Sequence, residues 1–317
     1  MGSHDKLFKA VFSEPENAIA HFGAFLPAEI TAALDLSQAV HEPGSFVDET
    51  LRERHTDLLY RIPWKKGFGE GDREVLLFVI FEHQSTPDPM MPFRMLRYAV
   101  RIWERWIREH PEQRQLQPIL PLVLYHGEQD WTVARSLFEL FDLADVPSGA
   151  VEALKPYLPR LRIMLNEVAS LPDEQIPGHG AVRLTLLLFK TGRIPDVLDL
   201  VPSWTEEFRM EAARGKPGLR ILSLLVEYLL RVNENVSVGA LAEFLAPLGD
   251  EIKEIPMTVG EQLIEKGRQE GRQEGEAAGR HKEKLDVARK ALAKGMSPVD
   301  VADLTDLPVD EVQTLAH

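Results

Sequence analysis

Apolar residues in the first half of the chain change from helical to strand spacing. Those at Phe8, Val11 and Phe12 repeat every three to four positions, as do Ile19 and Phe22, so the region 5–35 is predicted to be helical with a break at Pro27. Strands are predicted next, and one of them, 74–84, is apolar almost throughout, which is typical of a central strand covered on both faces. The predicted elements of this part are strands at 55–62, 74–84, 118–126 and 157–166, and an amphipathic helix at 91–109.

The second half of the chain is predicted to be helical, with helices over 180–191, 204–213, 218–232 and 238–247. Strands followed by a run of helices indicate an α/β fold in which a central sheet flanked by helices is followed by an all-helical extension. We therefore expect a core domain over 4–170 and a helical extension over 171–256.

Four glycines distinguish the next segment, 257–284, which we interpret as a charged linker helix. Gly267, Gly271, Gly275 and Gly279 recur every four residues and so lie near one side of a helix. Either they allow a close contact with another helix, or the segment is a solvated linker. The tail, 285–317, contains two prolines placed where short helices could begin, and it resembles a small helix-turn-helix unit that could contact DNA or only pack on another surface.

Composition restricts the chemistry. The 317 residues include no cysteine, which excludes disulfides, thiol catalysis and cysteine-based zinc sites and fits a reducing compartment, so we expect a cytoplasmic protein. The longest apolar run, Val75 to Phe81, is too short to span a bilayer, so no membrane association is expected. The formal net charge of −14 disfavours nucleic-acid binding unless basic residues cluster locally.

Acidic residues at two neighbouring predicted strands form the candidate catalytic group. Asp57 lies on the first strand, and Glu82 and Gln84 end the second on one face, because side chains alternate along a strand. If these strands pair, Asp57 and Glu82 can converge on one divalent cation, with a backbone carbonyl, that of His83, and waters completing an oxygen ligand set. Each residue also has an ordinary structural interpretation: Asp57 could cap a turn, and Glu82 could pair with an arginine.

Several short motifs, read together, make the chain resemble one family. They are His4-Asp5-x-x-Phe8-Lys9, Ser45-Phe46-Val47-Asp48, Thr56-Asp57-Leu58-Leu59-Tyr60, Glu82-His83-Gln84-Ser85, Phe93-Arg94-x-Leu96-Arg97-Tyr98 and Leu124-Tyr125-His126-Gly127 with Trp131. Their order resembles that of the recombination-promoting nucleases, also called transposase-like proteins, within the PD-(D/E)xK nuclease superfamily. The resemblance covers about residues 4–250.

The resemblance implies a PD-(D/E)xK-type core with a central mixed β-sheet flanked by helices. It also implies Mg²⁺-dependent DNA cleavage linked to recombination, with Mn²⁺ or Ca²⁺ as alternative ions. It implies that Asp57 and Glu82 are metal ligands and that Gln84 orients the attacking water or a phosphate oxygen. Gln84 stands where the superfamily usually has lysine, and glutamine carries no positive charge. A catalytically weak or inactive DNA-binding or oligomerising protein that keeps the nuclease fold is therefore the alternative.

A row of arginines supplies the local basic surface. The row begins at Arg94 and includes Arg97, Arg101, Arg105 and Arg108. The spacings of three and four residues place these arginines on one side of the predicted helix 91–109. The first three, with Lys9, are the candidate DNA contacts, and a solvated face paired with nearby glutamates is the other interpretation. A homo-oligomer, by default a dimer, is expected. A protein that only assembles, without binding nucleic acid, is a third possibility.

Overall fold

The computed structural model describes residues 2–42, 58–65 and 76–315, and it describes their side chains except those of 76–80 and 82. The chain forms two compact units, Met1–Met257 and Thr258–His317. Each unit has its own core of buried apolar residues.

Three helices open the first unit: α1, Ser3–Phe12, α2, Pro15–Phe25, and α3, Ala28–Ala33. They agree with the helical prediction for 5–35, including the break at Pro27. The buried residues of α1 are the apolar ones at helical spacing, and Asp5 accepts a hydrogen bond from the Gly2 backbone at its start. A carboxylate there satisfies a free amide and interacts favourably with the helix dipole.

A five-stranded mixed sheet forms the centre of this unit. Its strands lie in sequence order: β1, Val40–Glu42, β2, Leu58–Pro63, β3, Leu76–Gln84, β4, Ile119–Tyr125, and β5, Met164–Glu167. The pairs β1–β2 and β2–β3 are antiparallel, whereas β3–β4 and β4–β5 are parallel. The mixed sheet expected from the sequence is therefore present, with β3 in the middle position.

Helices cover both faces of the sheet. Phe8 of α1 and Phe22 of α2 contact Phe81 of β3, with ring centroids 4.9 and 5.4 Å away. The helix α4, Met91–Glu109, covers the other face, where it contributes Met95 and Tyr98 to a buried apolar cluster with residues of β2 and β4. The predicted bounds of α4 agree with the structure.

The last strand is shorter than predicted. The sequence predicted a strand over 157–166, but pairing with β4 begins only at Met164, and before it only Arg162 forms an isolated bridge, with Ser136. A short helix α5, Ser148–Leu154, and a 3₁₀ turn, Lys155–Tyr157, precede it. Pro156 and Pro159 explain the error, because proline has no amide hydrogen to donate to a strand ladder.

The remaining helices of the first unit are α6, Ala181–Thr191, α7, Val197–Leu200, α8, Thr205–Ala212, α9, Lys216–Val232, and α10, Val238–Leu245. They form the all-helical extension. Both α6 and α9 contact α1. At one close approach, Gly218 of α9 lies so near the Glu211 carbonyl that an added Cβ would be 1.8 Å from its oxygen.

One helix of 44 residues, α11, Asp250–Ala293, contains the glycine repeat and continues through Pro256. The predicted linker helix, 257–284, is thus the middle of a longer helix. A Cβ added at any of the four repeat glycines would have no atom within 4 Å, so they make no close helix contact within the described chain.

Two short helices complete the second unit: α12, Pro298–Thr305, and α13, Val309–Leu315. Ser297 caps α12 by accepting a hydrogen bond from the Asp300 amide. The helices pack on the end of α11 through a cluster of small apolar side chains that includes Ala288, Val301 and Val312. The segment 298–315 contains no lysine or arginine, so these two helices supply no cation for phosphate contacts.

No helix in the described parts of the chain is both long enough and apolar enough to cross a membrane.

Candidate active site

The carboxyl end of β3 is the centre of the candidate site. Gln84 is the last residue of β3 and is in register with Tyr125 of β4. Its carbonyl accepts a hydrogen bond from the His126 amide at 3.0 Å. Since residues in register point to the same side of a sheet, the half-buried Gln84 lies on the face that Tyr125 shares with α4.

The two predicted metal ligands are described to different extents. Asp57 lies outside the described residues, and for Glu82 the backbone alone is described. Glu82 follows Phe81 in β3 and is in register with Val123 of β4. Leu58, the first described residue of β2, pairs with Phe81. The predicted pairing of the strands that carry these acids is therefore confirmed, whereas the convergence of the acids stays a prediction.

His83 has its side chain on the opposite face, beneath α1. Its ring is buried against Phe8, with centroids 4.9 Å apart, and against His126, at 5.3 Å. Its Nε2 lies 3.2 Å from a carboxylate oxygen of Asp5. The predicted use of the His83 carbonyl as a metal ligand is untested.

His4 and His126 extend this histidine cluster, with ring centroids 4.7 Å apart. Arg193 approaches Nε2 of His4 at 2.5 Å, and the Tyr228 hydroxyl lies 3.0 Å from its Nδ1. Burial, and then the charge of Arg193, lowers the pKa of His4 to about 4. Burial also holds the pKa of His126 well below 6.5. Both rings are therefore neutral near pH 7.

This cluster was not predicted from the sequence. The residues themselves stand in the motifs that carry the family resemblance, His4-Asp5, Glu82-His83-Gln84 and the end of β4. Parallel pairing of β3 with β4 brings His83 close to His126, and that pairing was the missing information. Among the residues whose side chains are described, no three His, Asp or Glu side chains are arranged to hold a metal ion.

The arginine row is exposed along much of α4, but several members are paired. Arg94 contacts Asp88 at 2.8 Å, near the start of α4 and close in sequence to Gln84. Arg101 contacts Glu104 at 2.9 Å within the helix. Arg97 is exposed and makes no ion pair with any residue that the structure describes. The predicted basic row is present, and its contact with DNA is untested.

Lys9, the remaining candidate DNA contact, is half-buried on α1. It is therefore on a helix that covers the His83 face of the sheet, whereas Arg94 and Arg97 belong to α4 on the other face. The structure does not bring Lys9 and the arginines together on one side of the sheet.

The fold and the site together define an α/β protein with a mixed sheet, a polar strand end and an all-helical extension. The profile of the family described as "Putative transposase, YhgA-like" matches residues 2–217, more than half of the chain. The chain belongs to this YhgA-like family, as its motifs predicted.

Curated relatives in bacteria carry nuclease names. Recombination-promoting nuclease RpnD of Escherichia coli O157:H7 is 29% identical over 263 residues, which cover 82% of this chain and 93% of the relative. Recombination-promoting nuclease RpnA of Escherichia coli (strain K12) is 29% identical over 309 residues, 98% of this chain and 95% of the relative. A third, Inactive recombination-promoting nuclease-like protein RpnE of the same strain, is 27% identical over 309 residues, 96% and 94% of the two chains.

No solved structure was found to match this chain. The PD-(D/E)xK topology predicted for the core therefore has no structural neighbour to support it.

Proposed function

We propose that this protein is a Mg²⁺-dependent DNA endonuclease with a PD-(D/E)xK-type core, whose site comprises Asp57, Glu82 and Gln84. The strand register is the observation that carries the proposal. Asp57 directly precedes Leu58 in the sequence, Leu58 pairs with Phe81, and Glu82 directly follows Phe81. We therefore expect the two acids at the same end of adjacent strands. The names of the relatives agree with a nuclease.

The residues fit a hard divalent cation. Two carboxylates, with the His83 carbonyl, form an oxygen-rich ligand set of the kind that Mg²⁺, Mn²⁺ and Ca²⁺ accept. A bound ion would lower the pKa of a water and offset negative charge on the scissile phosphate. The contribution of the chain itself is the placement of Asp57 and Glu82, whose carboxylates would hold the positive ion at the end of the two strands.

Gln84 and the start of α4 complete the proposed chemistry. The Gln84 side-chain amide can accept a hydrogen bond from an attacking water through its oxygen, or donate one to a phosphate oxygen through its nitrogen, so its role is to orient one of them. Gln84 lies on the sheet face that α4 covers, and Arg94, Arg97 and Arg101 follow on that helix. These arginines would bind the DNA backbone next to the reacting phosphate and supply the charge that Gln84 lacks.

Plasmid cleavage tests the proposal. The purified chain is incubated with supercoiled plasmid and Mg²⁺, Mn²⁺ or Ca²⁺, and nicked and linear products are measured over time. We expect cleavage that EDTA abolishes and that Asp57→Ala and Glu82→Ala each reduce by roughly a hundredfold or more, since each removes a charged ion ligand. The exposed Asp145, changed to alanine, is the matched control and should cleave normally. Equal cleavage by the wild type and both site variants would refute the assignment.

A DNA-binding protein with little or no catalytic activity is the second candidate. Two observations favour it: Gln84 in place of lysine, and a relative of nearly equal length named as inactive. It predicts salt-sensitive DNA binding without cleavage under any of the three ions. Binding measured by fluorescence anisotropy at about 50 and 200 mM salt separates it from a protein with no affinity for DNA.

A further inference from the structure

The helix α4 has two apolar faces, of which only one is covered by the sheet. The covered face includes Met91, Met95 and Ile102. The second face, here called the outer stripe, consists of Phe93, Leu96, Val100, Trp103 and Ile107. Its spacings of three and four residues alternate, as in the seam of a coiled coil. At about 100° per residue, the outer stripe is centred roughly 125° around the helix from the covered face.

Three of the five residues of the outer stripe are exposed in the described structure, whereas the Trp103 indole donates a hydrogen bond to the Gln117 carbonyl at 2.8 Å. Phe93, Val100 and Ile107 are 44%, 41% and 52% exposed, and they lie one heptad apart. Leu96 and Trp103, between them, are half-buried. Single exposed apolar residues are common on protein surfaces, but a continuous row of them along a helix marks an interaction surface.

We propose that the outer stripe is the interface through which two copies of this chain pair, with the two α4 helices antiparallel. The stripe is nearly symmetric about Val100, because Phe93 and Ile107 lie seven residues to either side. A two-fold axis at Val100 brings Phe93 against Ile107 of the second copy. It also brings Val100 against Val100 of the second copy. Such self-complementarity is what a symmetric dimer interface needs.

The charged residues beside the outer stripe also favour a second copy of this chain, paired with its α4 antiparallel. Arg97 and Glu104 both flank the outer stripe on the side of the arginine row, three residues before and four residues after Val100. Antiparallel pairing therefore places each Arg97 next to Glu104 of the second copy, twice per dimer. Parallel pairing would place the two Arg97 side chains on opposite sides of the interface, so it would form neither of these pairs. In the dimer Arg97 is engaged in this pair, and Arg94 and Arg101 remain as the DNA contacts of the proposed function. Within one chain, Glu104 has an exposed contact with Arg101 three residues away, a weak type of pair that can rearrange.

Disulfide trapping tests the direction of pairing. The chain has no cysteine, so single cysteines can be introduced one at a time. Under mild oxidation, the Val100→Cys variant should form a disulfide between position 100 of one copy and position 100 of the other. Phe93→Cys alone should not, because the two cysteines would lie about 21 Å apart along antiparallel helices. An equal mixture of Phe93→Cys and Ile107→Cys should form the mixed dimer. Met210→Cys, on α8 and 44% exposed, is the matched control and should stay uncross-linked.

Light scattering on the full chain tests the strength of pairing. We expect a dimer that Val100→Lys weakens at least tenfold and that Met210→Lys leaves unchanged. Arg97→Glu and Glu104→Arg should each weaken association, and the two changes combined should restore it. Three results would overturn the proposal: a monomeric wild type at about 100 µM, efficient cross-linking of Phe93→Cys to itself, or undiminished association of Val100→Lys, which would place the interface elsewhere.

Discussion

His21 contributes to the acid sensitivity of the first unit, and its replacement by phenylalanine should remove that contribution. His21 is fully buried on α2 and stacks on Phe81 and Phe25, with centroids 5.1 and 5.9 Å away. Burial lowers the pKa of this imidazole from its ordinary value of 6.5 to about 4. The surrounding rings would accept a phenyl ring of similar shape, so His21→Phe removes the titrating group while the aromatic packing is retained.

The sign of the effect follows from proton uptake. A histidine with a lowered pKa in the native state binds its proton more readily in the unfolded chain, so stability is full above pH 6.5 and is lost as the pH falls towards 4. At about pH 5, the unfolded state gains roughly 2 kcal/mol from protonation of this one residue. His21→Phe should therefore reduce the loss of unfolding free energy between about pH 7 and pH 5 by that amount.

Urea unfolding followed by tryptophan fluorescence is the assay. All five tryptophans lie in the first unit, so the signal reports on its unfolding. At pH 7 the variant should be destabilised by only about 1 kcal/mol, because the ring nitrogen 3.4 Å from the Asn166 amide is lost. The exposed His179, changed to phenylalanine, controls for removal of a histidine. An identical pH dependence in the wild type and His21→Phe would refute the reasoning.

Two further predictions concern packing and catalysis. Gly218→Ala should destabilise the first unit by about 3 kcal/mol in the same urea assay, because its Cβ would meet the Glu211 carbonyl. Gly239→Ala is the control and should have little effect, because the space around Gly239 is open. Equal stabilities of the two variants would contradict the close approach at Gly218. If the proposed nuclease site is correct, Gln84→Ala should lower the single-turnover cleavage rate more than tenfold and leave DNA affinity nearly unchanged, since an orienting group acts mainly in the transition state. A normal rate would exclude Gln84 from the chemistry.

The elements predicted best from the sequence were those with long, regular patterns. The helix Met91–Glu109 was predicted with its observed bounds because 19 residues carry a clear helical repeat. The apolar run of β3 likewise identified the middle strand. In contrast, β1 was missed because its three residues, Val40–Glu42, are too few to show alternation, and its pairing with β2 is a tertiary property.

The site was predictable only where residue type and local spacing suffice. Gln84 and the arginines of α4 could be assigned to a strand end and to a helix face from spacing alone. The contact of His83 with His126 and Asp5 could not, because it depends on the order of strands and on where α1 lies over them. The second apolar face of α4 was also overlooked, since a helix reads as amphipathic whether its apolar residues form one face or two.

The glycine repeat of α11 affects where this helix is weakest. Gly267, Gly271, Gly275 and Gly279 lower the intrinsic helix stability of the segment by roughly 4 kcal/mol in total relative to alanine. No contact at these positions within the described chain offsets that loss. Residues near Ala288 and Ala291, by contrast, are stabilised by packing against α12 and α13. Local unfolding of α11 should therefore begin in its interior, near the four glycines. The end of the helix that packs against α12 and α13 should unfold later.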